Sequence, residues 1–163
     1  MAKTYSSYSI NGCTYHTHSY GLGRATQCDG VSVVAKTSSY SSARDDNPTV
    51  GDVLYYGRIT DIVELNYSNE GHVVLFKCDW FKTNGVRVLN NFGITEVNFN
   101  HMSNAQDKNC EPFILASQAK QVYYVQDPVD TDWHAVITPT VRDFYDMMPA
   151  LNHVSVFAIL NMS

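Results

Sequence analysis

The sequence predicts an all-β fold, or at most a β-rich α+β one: a small barrel-like antiparallel sheet with an N-terminal hairpin region and a short C-terminal helix. Three observations predict it. The 163 residues include 11 Tyr, 7 Phe and 2 Trp, ring side chains that pack well on a pleated surface. Apolar residues alternate along several short runs, as on a half-buried strand. Turn-forming groups such as Asn11-Gly12 and Thr83-Asn84-Gly85 punctuate those runs.

Taken in order, the polar-aromatic segments 4–10 and 13–20 flank Asn11-Gly12, the pair that most readily adopts the positive φ of a type I′ turn, so a hairpin is expected. Asp29-Gly30 gives a second signal of that type and opens a strand in which Val31, Val33 and Ala35 alternate with Ser32, Val34 and Lys36. Residues 38–52 turn to Ser, Asp, Asn, Pro and Gly, the composition of a surface loop, and divide an N-terminal region, 1–50, from a barrel-like core, 51–138. Segment 53–67 fits two patterns, because Tyr55, Ile59, Ile62 and Val63 would also make a helical stripe. Gly57 and the β-branched Ile59, Thr60, Ile62 and Val63 favour strand, and Ser68-Asn69-Glu70-Gly71 reads as the loop of a hairpin.

The following strand is the clearest, with Val74, Phe76, Cys78 and Trp80 on one face and Val73, Leu75, Lys77, Asp79 and Phe81 on the other. Apolar content on both faces places it centrally. Strands at 86–89 and 94–99 follow, then a polar loop over 100–111, and Pro112 can open one or two helical turns through Phe113, Ala116 and Ser117. Segments 122–125 and 133–137 read as a hairpin across Asp127-Pro128 that closes the sheet. Thr140-Val141-Arg142-Asp143 has capping-box spacing, and Val141, Phe144, Tyr145 and Met148 form an apolar stripe, so a short helix is expected in a terminal region, 139–163, with Pro149 stopping it.

Composition excludes several function classes. The formal charge is −5, from 16 acidic against 11 basic residues scattered without a stripe, which disfavours generic duplex binding and suits a basic partner. No apolar run is long enough to cross a bilayer and the start lacks a signal-like apolar region, so an intracellular setting is expected. Reduced thiols are then expected at Cys13, Cys28, Cys78 and Cys110, whose spacing lacks the paired pattern of a zinc site.

Several segments, read in order, resemble a domain found near the C-terminal end of proteins encoded by plant CACTA-type (En/Spm) DNA transposons. The resemblance rests on Ile10-Asn11-Gly12 with Thr17; Thr26-Gln27 ahead of Gly30-Val31; Ser41-Ser42-Ala43-Arg44-Asp45 running to Asn47-Pro48; and Tyr55-Tyr56-Gly57 with Ile59 and Ile62-Val63-Glu64-Leu65. It continues through Val74-Leu75-Phe76-Lys77-Cys78-Asp79-Trp80-Phe81, Gly85-Val86-Arg87, Glu111-Pro112-Phe113-Ile114-Leu115-Ala116-Ser117-Gln118-Ala119, Gln121-Val122-Tyr123-Tyr124-Val125 and Asp127-Pro128, with Trp133 before a strand leading to Arg142-Asp143. It spans roughly residues 5 to 147. It implies a nuclear accessory domain of unknown biochemical activity, sitting downstream of a transposase catalytic region. Cys13 and Cys28 stand where an aromatic and a small polar residue are expected, which argues against family-wide thiol chemistry.

No catalytic residue, cofactor, metal ligand set or small-molecule substrate is expected. Asp45, Asp46, Asp52, Asp61, Glu64 and Asp79 read as loop and solvent-face charges rather than a metal-binding carboxylate trio. His16 and His18 share a predicted strand face, but two ligands do not make a zinc site. No glycine-rich nucleotide loop or serine elbow occurs. The candidate binding residues are Tyr55, Tyr56, Trp80, Phe81, Tyr123, Tyr124 and Trp133, at strand starts and ends, where bromo-adjacent-homology and Tudor-type barrels carry aromatic cages for methylated lysine. Adjacent rings on a strand point to opposite faces, so about half of that set should be ordinary core. Three functions follow as expectations: a protein-contact domain meeting the transposase or chromatin; a DNA-binding module at transposon ends, using Arg24, Arg44 and Arg87; and a structural remnant without a ligand.

Overall fold

The computed structural model describes residues 1–25, 27–39, 49–67, 71–103, 107 and 111–140. Strand β1 (Ala2–Tyr5) precedes the expected hairpin of β2 (Ser7–Ile10) and β3 (Cys13–His16). Ile10 faces Cys13 across Asn11 and Gly12, whose φ values of 52° and 76° are those of a type I′ turn. β3 stops earlier than its composition implied. Thr17 takes an extended conformation and its hydroxyl accepts from the Tyr20 amide, capping a single helical turn, α1 (His18–Gly21). His16 and His18 therefore do not share a strand face.

Strand β4 (Gly30–Ser39) starts where expected, but for a different reason. Gly30 is not among the residues with positive φ. A Cβ there would collide with the Val122 carbonyl oxygen and lie 2.9 Å from Tyr124 Cε2, so close approach, not a turn, demands glycine.

Strand β5 (Thr49–Tyr67) runs for 19 residues. One edge pairs with β4 along its first half, from Gly30↔Arg58 to Ser39↔Thr49, and with β1 further on, from Tyr5↔Ile62 to Ala2↔Leu65. The other edge pairs with β6 (Gly71–Phe81). Residues on both sides of the expected division at 50 thus lie in one sheet. The register with β6 shifts between Ile59 and Asp61, a bulge at Thr60 that reverses which side chains face inward. Ile59 and Ile62 are both fully buried although an unbroken strand would point them oppositely.

The chain continues through β7 (Val86–Leu89), β8 (Ile94–Asn98), β9 (Met102–Ser103), β10 (Phe113–Leu115), β11 (Lys120–Gln121), β12 (Tyr123–Gln126) and β13 (Trp133–Ile137). β6 is central, as expected: Val74, Phe76, Cys78 and Trp80 are buried, β5 lies on one edge, and β9 and β10 take the other. Pro112 does not open a helix. Its carbonyl accepts from the Cys78 amide at 2.7 Å, holding the next residues extended against β6, and only Ala116–Gln118 coil into a 3-10 turn. Proline has no amide to lose at the start of an edge strand.

The main sheet follows the order β10-β6-β5-β4-β11. Its two ends, β10 and β11, belong to one continuous segment, 113–121, so the sheet curls around its core. The 3-10 turn, rather than a ladder of hydrogen bonds, bridges those ends, and no closed barrel forms among the described residues. That corrects the expected barrel. Tyr15, Val31, Ile59, Ile62, Phe76, Cys78, Trp80, Ala116 and Ala119 fill the interior. The β2–β3 hairpin packs against it: Tyr15 stacks 4.9 Å from Phe76 and donates its hydroxyl to the Ala119 carbonyl at 3.2 Å. Gln121 Nε2 donates to the Thr14 carbonyl at 2.7 Å.

The expected hairpin across Asp127-Pro128 is present, with Tyr123↔Ile137 to Gln126↔His134 in register, yet it does not close the main sheet. It extends a second sheet of order β12-β13-β8-β7. Tyr124 joins the two sheets, donating its hydroxyl to the Gly57 carbonyl at 2.6 Å. The expected C-terminal helix, Pro149 and the terminal apolar run lie outside the described residues.

Candidate functional site

Because β11 pairs with β4 only at Val31 and Ser32, the edge of β4 from Val33 onward has no second neighbour among the described residues. β10 sits against β6 on the far side of the same gap. A groove of about 680 Å³ occupies this seam, walled by Val33, Ala35, Tyr55, Trp80, Glu111 and Phe113 among others. Its floor follows from register: Val33 lies opposite Tyr55 and Val31 opposite Gly57, while Gly57 lies opposite Trp80. Gly57 is needed there, since a Cβ would meet Trp80 Cε3 at 2.6 Å and the Asp79 carbonyl oxygen at 2.7 Å. Trp80 Nε1 donates to the Glu111 carbonyl at 3.1 Å, which fixes the Glu111 backbone at the rim. Tyr55 is 36% exposed, and Phe113 and Leu115 are each 39% exposed, so the groove presents apolar surface to water.

The seven candidate aromatics do not assemble into one cage. Tyr55 and Trp80 share the seam groove, with Trp80 only 5% exposed. Tyr56 lies next to Tyr55 on the strand and so on the opposite face, across from Ser32. Phe81 and Tyr124 pack edge-on with Phe99, their ring centroids 5.0 to 5.5 Å apart. Burial pushes the Tyr124 phenol well above its ordinary range. Tyr123 donates its hydroxyl to Gln121 Oε1 at 3.2 Å, and burial raises its phenol beside the Cys28 thiol. Trp133 is covered by the chain's own cation, with Arg87 Cζ 4.0 Å from its ring centroid. That engagement leaves the Trp133 face filled.

A second, more polar cleft of about 430 Å³ is lined by Arg24, Asp29, Phe99, Tyr123, Tyr124 and His134, among others. Asp29 is buried and accepts from His18 Nδ1 at 2.7 Å, which ties α1 to the start of β4. Arg24 stacks on Tyr20 at 4.0 Å and donates through Nε to the Tyr20 carbonyl at 3.1 Å. Burial depresses the His134 imidazole below its ordinary value, against a smaller opposing pull from the Asp132 backbone. Its Nδ1 is buried without a hydrogen-bond partner among the described residues.

Of the carboxylates expected on loops and solvent faces, Asp61 pairs with Lys77 at 3.7 Å and Asp79 with Arg58 at 3.9 Å, and Glu64 accepts from the Tyr5 hydroxyl. Asp45, Asp46, Arg44 and Cys110 lie outside the described residues. Among the described residues no group of three or more His, Cys, Asp or Glu is placed to hold a metal ion, and no helix is long and apolar enough to cross a membrane. Burial pushes the Cys78 thiol far up, so it stays protonated in the core.

Sequence reading did not single out Glu111 or the edge of β4. Glu111 carried no signal because its position depends on Trp80, 31 residues away in the chain.

Residues 63–136 match the model of a protein family. It is described as a domain of unknown function, DUF4216. The DUF4216 match takes in the groove wall formed by Trp80, Glu111 and Phe113, but not β4 or Tyr55. No curated protein and no solved structure matches the chain.

Proposed function

We propose that this chain is a non-catalytic accessory domain of a plant CACTA-type transposon protein, acting in the nucleus by binding a protein partner, either the transposase or a chromatin component. The observation that carries this reading is the seam groove: an apolar channel beside a strand edge that has no second neighbour among the described residues, with three aromatic rings, Tyr55, Trp80 and Phe113, in its wall. Free strand edges are a common docking surface for other polypeptides. The formal charge of −5 favours a basic partner.

The DNA-binding alternative finds less support. Of its three candidate arginines, Arg87 is neutralised by Glu96 at 2.7 Å and Asp130 at 3.3 Å, and duplex binding depends on several free cations acting together. A pull-down of the whole chain against histone tails and the transposase catalytic region tests the proposal. Retention of either is expected; retention of neither, together with a salt-sensitive shift of terminal-repeat DNA in a gel, would replace it with the alternative.

A further inference from the structure

We infer that the seam groove takes an extended peptide that adds to β4 as a strand and places a basic side chain against Glu111. This rests on the protein-binding reading above and names the partner's chemistry. Two independent features point to that occupant.

The first is the backbone. From Val33 to Lys36, β4 is hydrogen-bonded to β5 on one edge, while the N–H and C=O groups of the other edge, facing the groove, have no strand partner among the described residues. A row of such groups at strand spacing is satisfied by another extended chain, and a small molecule or a helix cannot match it. β10, on the other side of the groove, sets the width of the slot. Val33, Ala35, Tyr55 and Phe113 provide an apolar lining for every second side chain of the incoming strand.

The second is charge. Two side chains of the charged type line the groove, Lys36 and Glu111. Lys36 forms no ion pair among the described residues, but it lies directly across the ladder from Asp52, an opposite charge at cross-strand distance. Glu111 is exposed and forms no ion pair among the described residues. Its backbone is anchored by Trp80, and the exposed Tyr55 ring lines the same groove. A carboxylate beside aromatic rings accommodates a lysine or arginine side chain through ion pairing and cation–π attraction.

The test uses two labelled eight-residue probes, one alternating Val and Lys and the other Val and Glu, titrated against the full chain at low salt and followed by amide chemical shifts. The Val/Lys peptide is expected to bind, with shifts concentrated at residues 33–36 and 113–115. Methylating alternate backbone nitrogens on the pairing edge should abolish binding. Glu111→Gln should weaken it about ten-fold without altering the free protein's spectrum beyond the groove, because that side chain is exposed. Equal affinity for the Val/Glu peptide, indifference to N-methylation, or shifts centred on the second sheet would overturn the inference. So would a dimer whose β4 amides are already protected from exchange. If neither probe binds while the transposase or histone tails are retained in the pull-down, this inference fails and the broader reading survives. If the pull-down also fails, both fall.

Discussion

Arg87 lies between Trp133 and Glu96: its guanidinium carbon is 4.0 Å from the indole centroid, and its Nε donates to the Glu96 carboxylate at 2.7 Å. The two contacts serve different ends. Glu96 is 2% exposed, and a carboxylate out of water requires a partner. Trp133 supplies a flat apolar surface that a guanidinium covers well. Arg87 lies across the ladder from Glu96, on β7 and β8, so the pair also fixes the edge of the second sheet.

Arg87→Met should therefore destabilise the fold by about 2–3 kcal/mol, a figure reduced from the fully buried case because the arginine itself is partly exposed. Arg87→Met combined with Glu96→Gln should recover much of the loss, since the stranded charge is gone. Urea unfolding of the two variants and wild type checks both statements. Equal stability of the single and double variants would show that the packing on Trp133, not the ion pair, dominates.

Two acidic-side pH dependences should appear in separate windows. The His134 imidazole is depressed below 6.5, chiefly by burial, so as pH falls below that value the unfolded chain takes up a proton that the native state resists. Stability then declines until the lower native pKa is passed. Asp127 is depressed below 3.8, first by the amide of Asp130 and then by that of Val129. Its contribution is present above the unfolded value and is lost as pH drops through the native one. His134→Phe keeps the ring against Phe99 and removes a buried nitrogen without a partner. It should flatten the first window only, read as the urea midpoint against pH. Asp127→Ala should flatten only the second.

Gly57→Ala should cost about 1–3 kcal/mol, because its Cβ would meet both the Trp80 ring and the Asp79 backbone. Gly51→Ala, on the same strand but with nothing within 4 Å of the added carbon, should stay within about 0.5 kcal/mol of wild type. Thermal unfolding separates the two, and tryptophan emission should shift in the Gly57 variant alone. Similar stability of the two variants would mean that Trp80 relaxes out of the way.

Tyr15→Phe deletes the hydroxyl that donates to the Ala119 carbonyl while leaving the ring on Phe76, so a loss of about 1 kcal/mol is expected. Tyr15→Ala should lose about 3–5 kcal/mol by emptying a fully buried site. In the native protein burial raises this phenol to about 12 and pushes Tyr124 well above its ordinary range, so absorbance titration should show late-ionising tyrosines, and the late step should shrink by one tyrosine, without disappearing, in the Phe variant.

Much of the fold was legible because local chemistry dictates it. Asn11-Gly12 specifies its turn through positive φ, and the alternation in 73–81 specifies the inward face of β6. The ambiguity of 53–67 has a concrete origin. The bulge at Thr60 changes the side-chain parity, bringing Ile59 and Ile62 to the same interior, and a spacing of three in one buried row looks helical when no bulge is known. Pro112 misled for a related reason: its conformation suits a helix start and an extended edge equally, and the Cys78 amide decides between them. The candidate site was half legible. Tyr55 and Trp80 stood out as exposed-capable aromatics, but nothing local distinguishes them from Phe81 and Tyr124, which became packing.

By itself, then, the sequence determined the strand-rich class, the three hairpins β2–β3, β5–β6 and β12–β13 and the acidic balance, all properties set by residues near one another in the chain. Tertiary structure alone decided that segment 113–121 joins both ends of the main sheet without closing it, that β12 and β13 belong to a separate sheet, and that Arg87 covers Trp133. Each of these depends on which strands meet, and strand pairing is set by long-range burial and register, for which neighbouring residues carry no code.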